Sequence, residues 1–139
     1  MRLAALLLIG TLCQAAQVKL PEFHRTVLSN GAVVVLMERS DVPMVTLRAV
    51  VRGGGEADPP GQAGRASLTA EMLRRGTAQW TAEEFSEQLD AIGATFSTRV
   101  DEQSTTITAE FLSKDLDAGL SLFADAILHP TFGRAKSGS

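Results

Sequence analysis

Residues 44–77 read MVTLRAVVRGGGEADPPGQAGRASLTAEMLRRGT, and three kinds of order follow one another along them. Val45, Leu47, Ala49 and Val51 alternate with Thr46, Arg48 and Arg52, the period of two that a half-buried β-strand requires. Residues 53–64 hold five Gly and two Pro, so they form a loop. From Arg65 to about Arg75, Ala66, Ala70 and Leu73, with Leu68 and Met72 alongside, make a wide apolar stripe at helical spacing, and Gly76 closes the helix. A strand, a glycine-rich loop and a helix that packs into a core therefore begin the main part of the fold.

The flanks extend this pattern. Upstream, residues 23–28 and 32–37 are β-rich runs around Ser29-Asn30-Gly31, a hairpin signal because Asn and Gly tolerate positive φ. Downstream, Thr81-Ala82-Glu83-Glu84 is a capping box, Trp80 fits the staple position before it, and Phe85, Leu89 and Ile92 follow on one face up to Gly93. Residues 94–100 and 104–112 read as strands joined by Asp101-Glu102-Gln103, a solvated turn. Ser113 and Asp115 start a helix whose apolar face is Leu116, Leu120, Phe123 and Ile127, and His129-Pro130 stops it. No internal repeat is visible. The expected class is α+β, an antiparallel-rich sheet covered by helices.

With 139 residues, 45 % apolar and 21 % charged, the chain has the size and composition of one globular domain. Its net charge of -3 has the wrong sign for broad phosphate neutralisation, which argues against a nucleic-acid partner. One Cys and two His leave too few ligands for a Cys-rich zinc site, a disulfide framework or a His cage. His24 sits among strand residues and His129 at a helix end, without ligand spacing to a second His or Cys, so both read as structural. Ser67 and Ser97 have only these two histidines as base candidates. Gly53-Gly54-Gly55 lacks the Gly-Lys-Ser/Thr of a phosphate loop and reads as a flexible loop. Glu71, four residues before Arg75, is placed for an exposed ion pair.

Residues 1–16 read as a signal peptide. Arg2 gives a positive start, residues 3–12 are apolar, and Cys13-Gln14-Ala15-Ala16 offers a cleavage site, so the expectation is an exported protein, periplasmic or extracellular. Polar Gln14 and Gln17 cut the run short of a membrane span. A lipoprotein acylated at Cys13 is the second reading, disfavoured by Leu12 before it. Cleavage would remove the single Cys, leaving a chain indifferent to an oxidising compartment.

Beyond these local signals, Leu28-Ser-Asn-Gly-Ala-Val-Val-Val-Leu, then Val42-Pro-Met-Val-Thr-Leu-Arg-Ala-Val-Val-Arg-Gly-Gly, then Gly64-Arg-Ala-Ser-Leu-Thr-Ala-Glu-Met-Leu-Arg-Arg-Gly-Thr77 resemble the start of the pitrilysin/insulinase family of zinc peptidases. Residues 113–132, ending His129-Pro-Thr-Phe132, resemble the helix by which members reach their Asn/His-Pro-Thr-Phe turn. The resemblance covers about 23–132 and implies part of the family's N-terminal domain, with residues 17–132 as the domain and 133–139 as a disordered tail.

Active members carry His-x-x-Glu-His on the helix after the glycine loop, two imidazoles for zinc and a glutamate to activate the metal-bound water. In that register this chain has Ser67, Ala70 and Glu71, so no zinc and no other cofactor is expected. The family's third ligand would fall beyond Ser139. Members also carry Asn-Ala-x-Thr on the strand that pairs with substrate, and the same register gives Ser97, Thr98 and Val100; an extended peptide could still pair there through main-chain hydrogen bonds. The resemblance thus implies a non-catalytic member that partners a zinc-bearing subunit of the same family. The alternative is a zinc metalloendopeptidase, opposed by the missing ligands. A third reading is a truncated fragment, since 133–139 departs from the acidic helical run that members have there.

Overall fold

The computed structural model describes residues 22–132, which fall into two compact units divided after Ser40. The expected signal peptide over residues 1–16, Cys13 within it, and the expected tail over 133–139 lie outside the described residues.

In the first unit, β1 (His24–Val27) pairs antiparallel with β2 (Val33–Leu36), from His24 opposite Leu36 to Val27 opposite Val33. The turn differs from the expected pair of positive φ angles: only Gly31 is left-handed, at φ 83°. The Gly31 N–H donates to the Leu28 carbonyl at 2.9 Å and the Leu28 N–H to the Ala32 carbonyl at 2.8 Å, a three-residue connection. Asn30 acts through its side chain instead, its Oδ1 accepting from the Ala32 N–H at 3.0 Å.

The second unit is built on a three-stranded antiparallel sheet in the order β3 (Met44–Arg52), β5 (Ser104–Leu112), β4 (Thr95–Val100). Met44 opposes Leu112 and Arg52 opposes Ser104; Thr95 opposes Glu110 and Val100 opposes Thr105. Directly opposed residues share a face. One face therefore carries Val45, Leu47 and Ala49 of β3, Ile107, Ala109 and Phe111 of β5, and Phe96, Thr98 and Val100 of β4. The alternation expected along β3 ends before Val51, which is 48 % exposed because the strand outruns the core.

Three helices supply the rest of that core: α1 (Arg65–Met72) against β4 and β5, α2 (Ala82–Ala91) beside α3, and α3 (Leu116–Leu128) against β5 and β3. Phe85 and Leu89 of α2, Leu122 and Ala126 of α3, and Leu73 join Phe96, Ile107, Ala109 and Phe111 in one cluster. Phe85 meets Phe96 edge-on, ring centroids 5.7 Å apart. The capping box forms as expected, Glu84 N–H donating to Thr81 Oγ1 at 3.2 Å and Thr81 N–H to Glu84 Oε2 at 2.8 Å. Trp80 packs against the core cluster.

Two helix faces differ from expectation. In α3 the buried positions are Gly119, Leu122, Asp125 and Ala126, with Phe123 and Ile127 packed at the margin. Leu116 and Leu120 are 45 % and 48 % exposed. The cause is Gly119, where an added Cβ would stand 2.5 Å from the Phe111 ring, so the helix approaches β5 one residue away from its leucine row. In α1, Ala70 and the following Leu73 are buried, whereas Leu68 is 59 % exposed. This helix ends at Met72 rather than Arg75, so Glu71 and Arg75 are not one helical turn apart and the expected ion pair does not form.

Candidate functional site

The glycine loop is docked, not flexible. The N–H groups of Gly53, Gly55 and Glu56 donate to the carbonyls of Gln103, Asp101 and Glu102 at 2.9–3.0 Å, and Thr105 Oγ1 donates to the Gly53 carbonyl at 2.9 Å. A Cβ on Gly54 would overlap the Asp101 carbonyl oxygen, so only glycine permits this approach. The Asp101-Glu102 turn, expected to be merely solvated, is thus the backbone acceptor that fixes the loop. No phosphate cradle results, because these N–H groups are already bonded.

From the same loop, Asp58 reaches the start of α1. Its Oδ2 accepts from the Gly64 N–H at 2.7 Å and its Oδ1 from the Ala66 N–H at 2.8 Å. Gly64, the N-cap at φ 90°, has no side chain to do this. A carboxylate there also faces the positive end of the helix. Sequence reasoning missed Asp58 because the capping patterns look one to three residues from the helix start, whereas this acid stands six residues before Gly64. One segment, residues 53–58, therefore ties the β4–β5 tip to the N-terminus of α1.

Between these elements lies an open cleft of about 790 Å³, with Ser67 on one wall and Val100 and residues 101–104 on the other. Ser67 is exposed, as is Glu71 one turn further along α1, while Ala70 is 3 % exposed and belongs to the core. On β4, Thr98 and Val100 are half-buried on the α1 side of the sheet. Ser97 is exposed and stands on the opposite face, across from Thr108. β4 pairs only with β5 among the described strands, so its outer edge is open. The structure thus brings Ser67 and Val100 to one cleft and sets Ala70 and Ser97 apart from it.

The model of the insulinase family, peptidase family M16, matches residues 33–137. The chain belongs to this family. It is 26 % identical over 109 residues to the "non-peptidase homolog YmxG" of Helicobacter pylori, an alignment covering 78 % of this chain and 25 % of that protein. It is 28 % identical over 124 residues to the mitochondrial-processing peptidase subunit beta of Bos taurus, covering 88 % of this chain and 25 % of that one. Among solved structures, the peptidase M16 inactive domain from Pseudomonas fluorescens superimposes with a TM-score of 0.74 at 26 % identity, over 80 % of this chain and 27 % of that one. The chain spans about a quarter of the length of the relatives it matches.

As an M16 chain it lacks the zinc motif. Zinc does not fit the residues present: Ser67 and Glu71 offer one hydroxyl and one carboxylate, and Ala70 offers nothing. Among the described residues no group of three or more His, Cys, Asp or Glu could hold a metal ion. His129 lies at the end of α3, where its Nδ1 is 3.1 Å from Oδ1 of the buried Asp125. No helix among the described residues is long and apolar enough to cross a membrane.

Proposed function

We propose that this chain is a non-catalytic M16 domain of an exported protein, which holds extended peptides along the β4 edge and partners a zinc-bearing subunit of the same family. The observation that carries the reading is the pairing of an α1 that has no zinc chemistry with a β4 edge kept open and braced by residues 53–58. A strand edge binds through main-chain hydrogen bonds, which do not need the family's side chains at 97, 98 and 100. The non-peptidase description of the Helicobacter pylori relative and the inactive-domain description of the Pseudomonas fluorescens structure support the absence of catalysis. The likeness to a beta subunit, a protein named as one part of an assembly, supports the partner role.

The test mixes the purified chain with a zinc-bearing M16 subunit from the same source and follows cleavage of a quenched fluorescent peptide. Cleavage by the mixture above that of the zinc subunit alone is expected, with none by this chain alone. A mixture no faster than the zinc subunit, together with no complex on size-exclusion chromatography, would remove the partner role.

A further inference from the structure

Residues 41–132 carry seven Lys and Arg against fourteen Asp and Glu, yet the cations are unevenly placed. Arg48 and Arg52 of β3 and Arg99 of β4 stand on the same sheet face, opposite the core, with Glu110 as the one acid among them. All three are exposed, and none forms an ion pair or side-chain hydrogen bond among the described residues. Between them lie Ser97, Ser104, Thr106 and Thr108, whose hydroxyls can donate to carboxylates. The α1 side of the β4 edge is of mixed sign, with Glu71 exposed on the helix and Asp101 and Glu102 at the hairpin tip, and Arg65, Arg74 and Arg75 exposed on and just after the helix.

A peptide strand added to β4 would present successive side chains to the two sides in turn. Residues opposite Thr95, Ser97 and Arg99 would stand on the arginine face; those opposite Phe96, Thr98 and Val100 would face α1. We infer that the β4 edge selects extended peptides carrying carboxylates at alternate positions, which Arg99 pairs directly and Arg48 and Arg52 favour weakly from three strand spacings away, across β4 and β5. At about 14 Å, three strand spacings, those two arginines act from beyond one Debye length in 0.1 M salt, so Arg99 carries most of the preference. This inference rests on the proposed peptide edge and names the chemistry of its occupant.

The test is fluorescence anisotropy of three labelled peptides against the full chain: Glu at alternate positions, the same peptide with Gln for Glu, and an isomer with its Glu residues consecutive. The alternating peptide is expected to bind about three- to tenfold tighter than the other two, corresponding to one or two opposite-charge cross-strand pairs. That preference should disappear in R48Q/R52Q/R99Q and weaken with salt. Equal affinities for alternating and Gln peptides, or a preference that survives the triple substitution, would overturn the inference while leaving the peptide edge standing. Binding of none of the three would overturn both. A dimer in sedimentation that the triple substitution dissolves would assign the arginine face to a second copy and overturn the peptide occupant.

Discussion

Helices α1 and α2 hold their first turns in opposite ways. α2 is closed locally, by Thr81 and Glu84 within one turn of sequence. α1 starts on a left-handed glycine and is closed by Asp58 from a loop that is itself bonded to the β4–β5 tip. A local cap fixes a helix wherever the chain puts it; a cap delivered from a loop fixes where the helix stands relative to a strand. Only α1 borders the cleft, and it is the helix whose distance from the β4 edge matters for anything bound there.

Breaking the brace should cost more than breaking the local cap. Gly54→Ala drives a methyl into the backbone of Asp101 and Glu102 at a buried position, and should cost about 3 kcal/mol or more in a urea titration. Gly119→Ala tests the closest helix–sheet approach elsewhere in the unit: the Phe111 ring is 2 % exposed and has no room to yield, so about 2 kcal/mol is expected from overpacking. Asp58→Ala removes two charge-assisted bonds and should cost about 1–2 kcal/mol, with amide exchange rising at Gly64 and Ala66 and around the β4–β5 tip. Thr81→Ala should cost about 1 kcal/mol and raise exchange in α2 alone. Equal exchange patterns for the last two variants would dissolve the distinction between the helices.

The same contrast marks what could be read from sequence. The capping box, the hairpin around Asn30-Gly31 and the alternation of residues 45–49 are local, and each forms in the structure. The face of α3 is not local: Gly119 adds no hydrophobicity to a periodic pattern, yet its missing Cβ decides which side meets Phe111. The glycine loop likewise shows its purpose only when residues 101–103 lie beside it, 46 or more residues later in sequence. The substitution of the zinc motif was legible at Ser67, Ala70 and Glu71, because it follows from residue identity in a known register. That Ser97 would face away from Thr98 and Val100 follows from strand parity, but which side faced α1 required the pairing register.

The central claim is that α1 and its surroundings hold no catalytic metal. The direct measurement is zinc content of the purified chain after equilibration with excess zinc and desalting, read by plasma emission and paired with peptide cleavage by the chain alone. Far less than one zinc per chain and no cleavage above buffer are expected. One zinc per chain, with cleavage that a chelator abolishes, would contradict that claim.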